Sequence, residues 1–188
     1  MRNDRPRLPR GAALALLLGC GRLMEQRVAE PRFAAKIVTH GALEQRVAAL
    51  PRPIVFTNGV FDVVHRGHVT YLDRARNLGA SLIVGVNSDA SARRLGKGPL
   101  RPLNSLEDRL AVIAALESVS LVAPFDEDTP LALVLACHPD VIVKGGDYSV
   151  DTTVGAAEVI GWGGRFVAIP LVPGRSTSAL LHRIRAGG

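Results

Sequence analysis

From residue 53 onward, short apolar runs alternate with stretches whose apolar positions fall three or four apart. The runs are "PIVFTN" at 53–58, "SLIVGVN" at 81–87, "VSLVAPF" at 119–125, "DVIVKGG" at 140–146 and "RFVAIPL" at 165–171. They are rich in β-branched residues and bounded by Gly, Pro, Asn or Asp, which predicts buried strands. Between them the period changes. "HVTYLDRARNLG" carries Tyr71, Leu72, Ala75 and Leu78 on one helical face and stops at Gly79. "SLEDRLAVIAALES" opens with Ser105 and has Asp108 three residues on, close to a capping box. "TPLALVLACH" predicts a helix capped by Thr129, with Pro130 at its first position. Residues 152–161 and "STSALLHRIR" predict two more helices, and residues 24–50 one or two short ones with a break near "THG". Five apolar strands separated by helices imply an α/β fold: a five-stranded parallel sheet with helices on both faces, in three layers. Such sheets bind ligands at the carboxyl ends of their strands, where the strand order reverses.

Composition adds limits. The chain has 188 residues, 47% of them hydrophobic and only 4% aromatic, so the core is built from Val, Leu, Ile and Ala. Two cysteines, Cys20 and Cys137, exclude a disulfide framework and a zinc cluster and fit a reducing compartment. The net charge of +6 invites a nucleic-acid reading, but residues 1–23 hold five arginines and one acid. The remaining 18 basic and 16 acidic residues leave only +2, with no basic block interleaved with aromatics. No nucleic-acid partner is expected.

Residues 1–23 join the basic "MRNDRPRLPR" to the apolar "GAALALLLGCG". They read either as a signal peptide with a lipoprotein-like "LLGC", or as an upstream extension of a chain that starts at Met24. The apolar run is too short to span a bilayer. The second reading is preferred. The expected organisation is a leader over 1–23, a helical segment over 24–50 and one domain over 51–188. Cytoplasmic location and no membrane partner follow.

The chemistry concentrates in "TNGVFDVVHRGH", residues 57–68. His65 and His68, at i and i+3, share one face of the first turn of the predicted helix. A helix N-terminus favours anions, and Gly59 and Gly67 let a ligand approach the backbone. Two imidazoles there suit phosphoryl oxygens; the alternative is a pair of solvated histidines. There is no third histidine or thiol nearby, so no protein metal site is expected. The absence of G-x-x-x-x-G-K-[ST] argues against a P-loop, and "GWGG" lacks the G-x-G-x-x-G spacing.

"H-x-G-H" after a first strand resembles the signature of the Rossmann-like nucleotidylyltransferases. "VFTNGVFDVVHRGHVTYL", "LIVGVNSDAS", "GPLRPLNSLEDRLAVIAALESV", "DVIVKGGDY" and "RSTSALL" follow in order. Over about residues 50–185 the set resembles the adenylyltransferases that make ADP-heptose from D-glycero-β-D-manno-heptose 1-phosphate for lipopolysaccharide core synthesis, in their stand-alone form. That resemblance implies ATP as co-substrate, Mg2+ carried by the phosphates, a separate sugar kinase and a homo-oligomer. It implies that His65 and His68 contact the ATP phosphates, with Thr57, Asn58, Gly59 and Phe61 beside them. It makes Lys97 a mobile catalytic cation, with a surface lysine as the alternative, and gives Arg101 the same two readings. Arg109 is a functional arginine or a helix-face ion pair. Arg175, Ser176 and Thr177 hold the β- and γ-phosphates, and Gly146 and Asp147 line the nucleotide pocket. Lys144 is structural or faces the phosphates. Asn87 and Asp89 contact sugar hydroxyls or form a plain turn.

Overall fold

In the computed structural model, residues 29–187 are described, apart from Lys97, Pro99 and the side chains of His40, His182 and Arg185. The predicted leader and the catalytic reading of Lys97 lie outside the described residues. The predicted strands form: β1 (Ile54–Gly59), β2 (Ser81–Asn87), β3 (Leu121–Phe125), β4 (Val141–Gly145) and β5 (Arg165–Ile169). The helices are α1 (Leu43–Ala48), α2 (Arg66–Arg76), α3 (Asp89–Arg94), α4 (Leu106–Ala114), α5 (Leu131–Cys137), α6 (Ala156–Gly161) and α7 (Thr177–Arg185). Short 3-10 helices at Arg32–Lys36 and His40–Ala42 precede α1.

All pairings in the sheet are parallel, in the order β3-β2-β1-β4-β5. Both faces are covered, which is why β2 can bury every residue. On one face Val55, Leu82, Val84 and Val143 pack with Leu72 and Ala75 of α2 and Ile113 of α4. On the other, Ile54, Phe56, Ile83 and Ile142 meet Leu43 of α1, Leu133 and Val134 of α5 and Val159 of α6. The alternation Ile54, Val55, Phe56 thus divides one strand between two cores.

Residues before β1 belong to the same packing. Ile37 bridges Val122, and the Val38 N–H donates to the Val122 carbonyl at 2.9 Å, beside the edge strand β3. At the start of β1, Asp140 Oδ2 accepts from the Ile54 N–H at 2.5 Å and Oδ1 pairs with Arg52 at 2.9 Å. Burial opposes ionisation of Asp140, but these donors outweigh it and hold its carboxyl below the ordinary value.

The expected caps divide. Ser105 Oγ accepts from the Asp108 N–H at 3.2 Å, as the near-capping box predicts, although the hydroxyl also donates to Asp108 Oδ2. Thr129 is not the cap of α5. Pro130 holds that position without a side-chain bond, and Thr129 is exposed. Pro130 has a near-helical φ of −79° but a ψ of 9°, outside the helical range, so the helix begins one residue later than predicted.

Candidate active site

The strand order reverses between β1 and β4, and a cavity of about 370 Å³ opens at their carboxyl ends. β1 supplies Asn58 and Gly59, and the loop after it supplies Phe61 and Asp62. The first turns of α2 supply His65, Gly67, His68 and Tyr71. β4 and the residues after it supply Lys144, Gly145 and Tyr148. The chain after β5 supplies Leu171, Val172, Arg175 and the hydroxyl run Ser176–Ser178. Arg101 enters from the segment between β2 and β3.

His65 is the N-cap of α2. Its backbone is extended, and its Nδ1 accepts from the Gly67 N–H at 3.1 Å. That bond leaves the ring proton on Nε2, as a donor. The His68 ring stacks on His65, centroids 4.0 Å apart and 23° from parallel, and Phe61 closes on His68 edge-on at 5.5 Å. Gly67 is required by this packing: a Cβ there would stand 2.8 Å from His65 Cε1 and 3.3 Å from Arg175 Cβ. The glycine therefore lets both the imidazole and the α7 approach lie against the start of α2.

Burial, then the neighbouring His65, push the His68 pKa down to about 4, while the Val63 backbone works the other way. His65 is also lowered, first by burial, with the Arg175 charge adding to it. Near neutral pH both rings are uncharged hydrogen-bond donors. Beside the histidine loop, Ser176 caps α7 by accepting from the Ala179 N–H at 3.1 Å, and Thr177 Oγ1 donates to the Val63 carbonyl at 3.4 Å. Lys144 Nζ donates to Asn58 Oδ1 at 2.5 Å and lies 5.9 Å from the Tyr148 ring centroid.

The structure brings together most of the residues singled out from sequence, but not all. Thr57 is fully buried, its hydroxyl 2.6 Å from the Tyr71 hydroxyl, and only its backbone neighbours reach the cavity. Asn87 is buried, with Nδ2 donating to Ser91 Oγ at 2.9 Å. Asp89 opens α3, a helix the sequence reading left as a turn, and pairs with Arg109 at 2.7 Å. Arg109 is 1% exposed and also donates to the carbonyls of Val60, Asn87 and Asn104. Arg109 thus joins the Asp89 carboxylate and the Asn87 carbonyl, while the Asn87 side chain turns to Ser91, all three residues outside the cavity lining. Asp147 is exposed and Gly146 turns at φ +99°, both beside the cavity lining rather than in it.

Sequence reasoning missed Asp62, Tyr71, Tyr148, Leu171 and Val172 as cavity residues. Tyr71 read as a core position, and it is one: buried, with its hydroxyl donating to the Val143 carbonyl at 3.2 Å. Burial raises its pKa, so it stays a neutral phenol. Its i+3 offset from His68 was the available signal. Among the described residues no group of three or more His, Cys, Asp or Glu is placed to hold a metal ion. No helix among them is long and apolar enough to cross a membrane.

Residues 56–169 match the cytidylyltransferase-like family. The "D-beta-D-heptose 1-phosphate adenylyltransferase" of Bordetella bronchiseptica is 59% identical over 158 residues, covering 83% of this chain and 98% of that protein. The chain belongs to this family of nucleotidyltransferases. "Bifunctional protein HldE" of Methylobacillus flagellatus is 56% identical over 131 residues, 70% of this chain and 27% of that longer protein. Among solved structures, the lipopolysaccharide core biosynthesis protein of Thermoplasma volcanium superposes with a TM-score of 0.53 at 30% identity, covering 63% of this chain and 95% of its own. The fold expected from sequence, a Rossmann-like five-stranded parallel sheet between helices, is the fold of this family member.

Proposed function

We propose that the chain transfers AMP from ATP to D-glycero-β-D-manno-heptose 1-phosphate, giving ADP-heptose and pyrophosphate for lipopolysaccharide core synthesis. The observation that carries the reading is the stacked His65–His68 pair beside the α7 N-terminus in one cavity, in a chain 59% identical to a named heptose 1-phosphate adenylyltransferase.

The sugar phosphate brings its own nucleophile. One of its oxygens attacks the α-phosphorus in line, the new P–O bond forms as the α–β bridge breaks, and pyrophosphate leaves with that electron pair. No covalent enzyme intermediate is needed. The protein aligns two anions and neutralises charge on the phosphoryl oxygens. His65 and His68 donate to the α-phosphoryl oxygens. Arg175 and the α7 N-terminus, with Ser176 and Thr177, hold the β- and γ-phosphates. Arg101 holds the acceptor's phosphate. Mg2+ arrives as part of the MgATP substrate, bound by phosphate oxygens and water. A kinase acting on a heptose phosphate must supply the acceptor, and the enzyme works as a homo-oligomer.

The test is pyrophosphate release by the purified chain with Mg2+, pairing ATP or CTP with the heptose 1-phosphate or glycerol 3-phosphate. Release confined to ATP with the heptose phosphate supports the proposal. Release with a different pair retains the phosphoryl chemistry and discards the acceptor. No release with any pair leaves a nucleotide-binding regulatory module.

A further inference from the structure

We infer that Asp62 is a positioning residue: it latches Arg101 against the loop that carries His65, and so sets where the acceptor's phosphate is gripped. The inference rests on the functional reading above and extends it to a residue that reading does not use.

The Asp62 side chain has no exposed surface, and the Arg101 side chain keeps only 15% of its own. A carboxylate so enclosed is costly unless every lone pair is engaged. Asp62 takes its partners from a single short segment. Oδ1 accepts from the Leu103 N–H at 2.7 Å and the Asn104 N–H at 3.0 Å, and Oδ2 faces Arg101 Nε as an ion pair without the alignment of a hydrogen bond. Its own carbonyl accepts from Asn104 Nδ2. Three of the four residues 101–104, namely Arg101, Leu103 and Asn104, are therefore held by residue 62. From the far side Arg109 secures the same two loops, donating to the Val60 carbonyl at 2.7 Å and the Asn104 carbonyl at 3.2 Å.

The topology gives this latch its purpose. In the order β3-β2-β1-β4-β5, the segment before α4 lies on the β2 flank of β1, while Arg175 and α7 follow β5 on the opposite flank. One cavity thus has a cationic side from each flank, with the histidine pair between them at the end of β1. In-line transfer needs the two anions in fixed register. Asp62 lies three residues before His65 in the same loop, so it refers the acceptor's cation to the histidine that meets the α-phosphate. It pairs with Arg101 through Nε, the inner edge of the guanidinium fork, while the side chain lines the cavity.

Steady-state kinetics on the full chain, with ATP and the sugar 1-phosphate varied in turn, test this. Asp62→Asn is expected to raise KM for the sugar phosphate about 10- to 100-fold, the range for one charge-assisted contact, and leave KM for ATP within about twofold. Arg101→Ala is expected to do the same, and the double variant to be no worse than Arg101→Ala alone. Effects that add, or a KM for ATP that rises in step, overturn the proposal and make Asp62 a scaffold residue. Should Asp62→Asn not fold, Arg101→Lys carries the test. It keeps the charge and loses Nε, so the acceptor KM alone rises; an unchanged acceptor KM overturns the latch. Wild-type chain runs beside the variants. If it turns over no heptose phosphate, the functional reading has failed by itself, and amide exchange then reads the latch directly. The Leu103 and Asn104 amides are expected to exchange at least about tenfold faster in Asp62→Asn, having lost a charged acceptor. Equal protection in the two proteins overturns it.

Discussion

His65 and His68 occupy adjacent positions on one helical turn, yet the chain treats them differently. His65 spends Nδ1 on the Gly67 N–H and presents Nε2. His68 lies deeper, between His65 and the Phe61 edge, and burial depresses its pKa to about 4. In the proposed reaction it is a neutral donor that strengthens as charge builds on phosphorus. His68→Ala is therefore expected to lower kcat by about 10²- to 10³-fold, the usual loss for one such donor. KM for ATP should move far less, and circular dichroism and the melting temperature should show a folded protein. A variant with near wild-type turnover would remove His68 from the mechanism. At this scale the sequence was informative wherever a residue acts from a helix start. It was silent on Asp62, because an aspartate in a loop says nothing of the partners that a distant segment, residues 101–104, brings to it.

Elements show where legibility ends. The five strands were visible because each is a β-branched run buried on two faces, and the long helices because their period is unambiguous. α3 was not, since six residues opening with Ser88 and Asp89 carry the same letters as a turn. That helix matters: it presents Asp89 to Arg109, and the pair braces α3 against α4. The guanidinium of Arg109 ties α4 to the ends of β1 and β2 through three carbonyls and one carboxylate. Arg109→Ala would leave those carbonyls without their donor and open a void where a fully buried side chain stood. The expected cost is about 3 kcal/mol of stability, read as a fall in the denaturant midpoint. Activity at a temperature where the variant is folded should fall through the acceptor KM, because the Arg101 segment shares this support. A variant as stable as wild type would mean that the carbonyls find other donors.

For the whole molecule, the order of strands was the missing information. Sequence predicted five strands and a ligand site at their carboxyl ends, but not which two strands flank the reversal. Placing β1 beside β4 is what brings Tyr148, Leu171 and Arg175 to the histidine pair, whereas Tyr71 arrives on the helix that carries His68. The same enclosure couples the site to global stability. His68 has a folded pKa of about 4 and an ordinary value of 6.5, so between those limits the unfolded chain binds more protons. Stability from this residue is then complete above pH 6.5 and is lost as pH falls toward 4. Asp140 also has a depressed pKa, but its ordinary value is 3.8, so its contribution is lost only below the histidine window. The two windows can be separated by mutation. His68→Gln removes the titrating ring and keeps a polar side chain, so its melting temperature should fall less than that of wild type between pH 6.5 and 4.5. Parallel curves for the two proteins over that range would mean that His68 is as free to take a proton in the folded chain as in the unfolded one, and the buried, neutral donor on which the proposed transfer depends would have to be given up.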